Sequence, residues 1–142
     1  MGVINRVYVG VDVGEKRIGL SRSDPLGILA SPVKTLTRKS TSADIDALLR
    51  FAAESGALEI VVGMPTSLSG KAGPQALITG KFVKALADQS HVPVREQDER
   101  MSSVEAEGML RAAGKKPSRN KASIDSAAAA VILQRYLDNL NS

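Results

Sequence analysis

The chain contains no cysteine. Disulfides, thiolate metal centres and a cysteine nucleophile are therefore excluded together, and a reducing compartment suits the composition. Aromatic residues make up only 3% of the chain, which gives little support to recognition by base stacking. The one histidine, His91, sits between Ser90 and Val92-Pro93 and reads as a turn residue. No apolar run approaches the ~20 residues of a membrane span, and a signal-peptide layout is missing. A soluble, cytoplasmic protein is expected.

What is present suffices for one ordinary domain, expected over residues 1–142, with 43% hydrophobic content. Nineteen Lys and Arg against 15 Asp and Glu leave +4, a balance that permits a polyanionic partner without requiring one. From Arg6 to Val13, Val7, Val9 and Val11 alternate with Tyr8, Gly10 and Asp12, as in a strand with two different faces. Further strands are expected at Arg17 to Ser23 and Ile28 to Leu36, joined by the turn Asp24-Pro25-Leu26-Gly27. These three suggest an antiparallel meander. Ile45, Leu48, Leu49 and Ala52 then recur at helical spacing up to Gly56, and Leu58 to Gly63 reads as a buried strand.

Pro74 should open a helix to about Ser90, with Leu77, Ile78, Phe82, Val83 and Leu86 on its apolar side. A strand follows at Val92 to Gln97. Ser102 and Glu105 form a capping-box pattern for a helix ending at Gly114. The last helix should run from Ala122 to Leu140, apolar at Ile124, Ala127, Ala128, Val131, Ile132 and Leu140. The order βββαβαβαα describes an α/β fold: a five-stranded mixed sheet, the meander plus two parallel strands, flanked by helices.

Asp12 ends the first strand between Gly10 and Gly14, where a metal ion or phosphate could approach an uncrowded backbone. An aspartate there can equally cap a turn. Two further acidic positions could join it. Asp98-Glu99 follows the last strand, with Glu99 the better candidate; a solvated loop charge is the plainer alternative. Asp125 precedes a run of small residues, Ser126 to Ala130, that would let the helix pack close to a sheet; its plainer alternative is a favourable acid at a helix N-terminus. Three converging carboxylates would repel one another without a cation, and an oxygen ligand set points to Mg²⁺ or Mn²⁺ rather than zinc.

The segments Asp12-Val13-Gly14-Glu15-Lys16-Arg17-Ile18-Gly19, Val62-Gly63-Met64-Pro65 with Gly70, Asp98-Glu99-Arg100-Met101-Ser102, and Lys121 to Asp125 with Ala127-Ala128 and Ile132-Leu133-Gln134 resemble the YqgF/RuvX family. The resemblance runs over nearly the whole chain. It implies the RNase H-like fold shared with RuvC Holliday-junction resolvases, a cytoplasmic bacterial protein, and a candidate role in 5′-end maturation of pre-16S ribosomal RNA. It also implies that Asp12, Glu99 and Asp125 form the acidic, metal-binding catalytic site. In the resolvases the second acid follows the strand equivalent to Leu58 to Gly63; this chain has only Gly63 there, so Glu99 would be a relocated acid. Two ions about 3.5 to 4 Å apart would activate water and stabilise the leaving oxygen, with no side-chain nucleophile.

Arg111, Lys115, Lys116, Arg119 and Lys121 form a basic stretch without an acid, leading into Asp125; phosphate steering is one reading and a solvated loop the other. Arg17 and Arg100 flank the proposed acids and could contact phosphate or balance charge. Thr66, Ser67, Ser69, Gly70 and Lys71 could close over substrate or form an ordinary surface loop. The glycines of Gly63 to Ala72 are wrongly spaced for a P-loop, and Ala72 replaces its hydroxyl. Actin-like ATPases share the Asp-x-Gly opening but clamp nucleotide between two such domains. A non-catalytic nucleic-acid-binding module also remains open. The nucleic acid could be pre-rRNA or branched DNA. Resolving a junction would need a two-fold homodimer, whereas trimming an RNA end needs one site.

Overall fold

A computed structural model describes residues 5–65, 73–98 and 121–142, with side-chain detail in the last segment from Ile124 onward. The elements are β1 (Tyr8–Val13), β2 (Arg17–Ser23), β3 (Ala30–Thr37), α1 (Thr41–Ser55), β4 (Glu59–Met64), α2 (Pro74–Gln89), β5 (Val94–Asp98) and α3 (Lys121–Leu140). The sheet order is β3-β2-β1-β4-β5. β1 to β3 pair antiparallel, while β4 joins β1 and β5 joins β4 in parallel, as the hairpin and crossover signals require. The expected helix from Ser102 to Gly114 lies outside the described residues.

Local chemistry sets the boundaries. The Ser40 hydroxyl accepts the Ala43 N–H at 3.1 Å to start α1, and Gly56, left-handed at φ 68°, ends it. Pro74 starts α2. Between β2 and β3, the Asp24 carboxylate accepts the N–H groups of Ile28 and Leu29 at 2.8 and 2.9 Å, which holds its pKa below the usual carboxylate value. Edge strand β3 carries Pro32 and a register shift opposite Leu20 and Ser21, where a missing donor is tolerated.

The alternation of β1 sorts two cores. Val9, Val11 and Val13 join Ile18, Leu20, Ile60 and Val62 beneath α1 and α2, together with Leu48, Phe51, Phe82 and Leu86. On the other face Tyr8 and Val61 pack with Ile132, Leu133 and Leu137 of α3. Two helical expectations need correction. Leu77 and Ile78 are 66% and 55% exposed; the buried stripe of α2 runs through Ala76, Thr79, Phe82, Val83 and Leu86, a rotation of the helix that puts the two large residues outside. Leu140 is likewise exposed, since α3 makes its last core contact at Leu137. Among the described residues no helix is long and apolar enough to cross a membrane.

Beyond the α3 core, Tyr136 donates to Glu59 at 2.8 Å, and Arg95 donates to the other Glu59 oxygen at 3.1 Å. Burial, and then the hydrogen bond to Glu59, push the Tyr136 phenol up to about 12. Because the folded state holds this proton more tightly, its stabilising contribution is complete below the ordinary value of 10.0 and disappears as pH rises toward about 12. Thermal melts of wild type and Tyr136→Phe should therefore converge across that alkaline window; a constant gap would contradict the linkage. In the tight layer between β1 and α3, a Cβ on Gly10 would sit 2.7 Å from both the Ala129 carbonyl oxygen and Leu133 Cβ, and would overlap the Ser21 hydroxyl. Denaturant unfolding of Gly10→Ala should show a loss of about 1–3 kcal/mol, the range for overpacking a filled core.

Candidate nuclease site

The acidic positions are organised by what lies between them. Asp12 is the antiparallel partner of Gly19, so the two residues share a face of the sheet. That is the face covered by α3. A Cβ on Gly19 would overlap the backbone carbonyl of Asp125, and Ser126 N would lie 2.9 Å away. Only a glycine lets the helix backbone rest there. The next residue on the same face of β2, Ser21, donates its hydroxyl to the Ala129 carbonyl at 2.8 Å. Above these contacts, Ala127 to Ala130 are all at most 3% exposed. The small-residue run therefore brings the helix backbone onto the sheet, and Asp125 arrives beside the end of β1 that carries Asp12.

Asp125 is not a helix-terminal acid. The helix already includes Lys121, so Asp125 lies beyond the first turn, and a favourable placement at the N-terminus does not account for it. Its partner is Arg17, whose Nε donates to Asp125 Oδ2 at 2.7 Å with both side chains about 30% exposed. Arg17 is thereby placed against one of the proposed acids. Asp12 is half-buried and engaged in interactions of its own.

The turn between Asp12 and Arg17 is closed by the Gly14 N–H, which donates to the Arg17 carbonyl at 2.8 Å. Arg38, which carried no signal at the level of sequence, donates from Nη1 to the Gly14 carbonyl at 3.2 Å. Gly19 and Ser21 were also missed. Their signal was legible in retrospect: small residues alternate along one face of β2 and oppose Gly10 and an alanine-rich helix.

Asp98 closes β5, in register with Met64 of β4. Since β1, β4 and β5 run parallel, their carboxyl ends share one edge of the sheet, with β5 two strands, or about 10 Å, from β1. Glu99 and Arg100 lie outside the described residues, as do Arg111, Lys115, Lys116, Arg119 and the segment with Thr66, Ser67, Ser69, Gly70 and Lys71; of Lys121 only the backbone is described. Among the described residues no cluster of three or more His, Cys, Asp or Glu could hold a metal ion. A cavity of about 560 Å³ opens where α1 and α2 end, lined by Ala52, Ala53, Gly56, Ala57, His91 and Val92, and contains none of the proposed site residues.

Comparison with solved structures gives the fold its name. The chain superimposes on Thermus thermophilus RuvC in complex with a Holliday junction substrate with a TM-score of 0.61, covering 96% of both chains at 16% identity. Fowlpox virus resolvase with its Holliday junction DNA gives 0.59 at 12% identity, covering 96% of this chain and 99% of that one. The expected RNase H-like fold is the observed one. Sequence relatives are much nearer. A candidate pre-16S rRNA nuclease from Nocardioides sp. is 48% identical over 136 residues, covering 93% of this chain and 87% of the relative. One from Clavibacter michiganensis is 46% identical, with 92% and 81% covered, and one from Chloroflexus aggregans is 45% identical, with 94% of each covered. A family model described as RuvX, Holliday junction resolvase, matches residues 6–139, and with these relatives it establishes that the chain belongs to the RuvX family.

Proposed function

We propose that the chain is a metal-dependent nuclease that hydrolyses phosphodiester bonds of structured RNA in the cytoplasm, in 5′-end maturation of pre-16S rRNA. The observation that carries this reading is the seating of Asp125 against Gly19, the direct strand partner of Asp12. Two carboxylates are thereby brought to one end of the sheet, with Arg17 paired to one of them. The substrate assignment is supported by relatives described as candidate pre-16S rRNA nucleases at 45–48% identity.

The donor chemistry fits Mg²⁺ or Mn²⁺. Both acids supply hard oxygen ligands and are partly exposed, and Mg²⁺ commonly uses one or two carboxylates, with water and phosphate completing its shell. Glu99, the residue after Asp98, is the third proposed ligand. When bound, such ions activate water and stabilise the leaving oxygen. The chain itself then has three tasks. Asp12 and Asp125 hold the acidic pocket at the exposed rim of the sheet; Arg17 fixes the orientation of the Asp125 carboxylate; Arg100 and the basic positions Arg111, Lys115, Lys116, Arg119 and Lys121 draw the phosphate backbone in. Thr66 to Lys71 would flank the substrate.

A second reading, resolution of branched DNA, is favoured by the likeness to RuvC bound to its junction. It would require a homodimer that presents two sites related by a two-fold axis. Cleavage of pre-rRNA and of four-way junctions, measured side by side with Mg²⁺ or Mn²⁺, separates the two.

Asp12→Asn and Asp125→Asn should each lower cleavage by at least about 10²-fold while leaving nucleic-acid binding intact, since even outer partners of metal ligands cost 10–100-fold. Undiminished cleavage by Asp12→Asn would remove the proposed site. For Arg17→Ala, a Mg²⁺ titration of activity should move its midpoint upward by about 10-fold or more, because Asp125 loses the group that orients it. An unmoved midpoint would mean that the ion pair serves only the fold.

A further inference from the structure

Arg38 contacts three parts of the molecule. Its backbone N–H donates to the Lys16 carbonyl at 2.9 Å, and its Nη1 donates to the Gly14 carbonyl at 3.2 Å. The residue thus grips the β1–β2 turn at two carbonyls. Its Nε donates to Asp44 Oδ2 at 3.1 Å, and its guanidinium carbon lies 5.3 Å from the centre of the Phe82 ring. Asp44, 3% exposed in the first turn of α1, also accepts the Lys39 N–H at 3.0 Å. With both carboxylate oxygens occupied, Asp44 holds the guanidinium plane against α1 and α2.

The gripped turn is the link between the two acidic arms. It begins two residues beyond Asp12 and ends at Arg17, the partner of Asp125. We infer that Arg38, held by Asp44, is a positioning residue that sets the β1–β2 turn and, through it, the relative placement of Asp12 and the Arg17–Asp125 pair; this rests on the nuclease reading only for its catalytic consequence. Stability alone does not explain the arrangement, because a buried ion pair can often be replaced by well-packed apolar residues without loss. What apolar residues could not replace is the donor to the Gly14 carbonyl.

That difference supplies the test. The double variant Arg38→Met/Asp44→Leu removes the pair without stranding a buried charge, so it should melt close to wild type, lowered only by the loss of the acceptor for the Lys39 N–H. Amide exchange should nevertheless accelerate at residues 14–17 and stay unchanged across the rest of the sheet. Turnover on the cleaved substrate should fall by about 10²-fold at unchanged KM, the scale of loss for small misplacements of reacting groups. Arg38→Ala, which leaves Asp44 buried and unpaired, should regain turnover when guanidinium is added at non-denaturing concentration. Wild-type exchange at 14–17 in the double variant overturns the inference, and so does acceleration spread over the whole sheet. If wild type cuts neither RNA nor junction, the nuclease reading fails on its own, and the exchange pattern alone decides the positioning role.

Discussion

The close seating of α3 on β1 and β2 is the contact on which the rest of the molecule depends. Helices ordinarily stand off a sheet by the length of their side chains; here Gly19 meets the backbone of Asp125 and Ser126, Gly10 and Ser21 meet Ala129, and the helix backbone itself touches the strands. Such proximity would leave carbonyls facing an apolar surface. The Ser21 hydroxyl, itself fully buried, finds its acceptor in one of them, at Ala129, where an unpaired buried donor would cost on the order of 1–3 kcal/mol. Apolar burial resumes further along α3 at Ile132, Leu133 and Leu137, so the helix is anchored by its later turns and brought near by its early ones.

The proposed chemistry follows from that geometry. A carboxylate at a strand end and one on a helix are each unremarkable, and an RNase H-like fold leaves open which surface groups act. The close seating of the helix sets Asp125 over Gly19, the strand partner of Asp12, and makes Arg17 a bridge from β2 to Asp125. The hairpin is secured elsewhere as well: Gln134 of α3 accepts from the Ala30 N–H and donates to the Ile28 carbonyl, at 2.9 and 2.8 Å. Arg38 grips the opposite end of the hairpin from the other side of the sheet. The β1–β2 turn itself is held from both helix layers, through Arg17 and Asp125 on the α3 side and through Arg38 with Asp44 and Phe82 on the other.

Much of this was readable in one dimension because it is local. Valine alternation, the turn residues around Asp24 and Gly27, the caps at Ser40 and Gly56 and the proline opening α2 each act within a few residues, and the strand–helix–strand order restricted the topology to a mixed sheet. The alanines after Asp125 announced a tight helix contact. By contrast, the apolar side of α2 was misplaced at Leu77 and Ile78. Their spacing fits a helix equally well with either of two adjacent stripes inward, and only the position of the sheet chooses between them.

By itself, then, the sequence determined the five strands, their crossovers, the lack of thiol chemistry and the kinship motifs that named the acids. The tertiary structure decided that Asp125 lies against Gly19, the strand partner of Asp12. Asp12 and Asp125 are 113 positions apart in the chain, and Arg38 reaches Gly14 across 24 residues while taking its support from Asp44 and Phe82. Contacts of this kind arise from how three layers close on one another, and no local preference encodes a distance between layers. Their clearest trace in the sequence is the absence of side-chain volume at Gly10 and Gly19, whose meaning appears only when the helix that fills the space is in place.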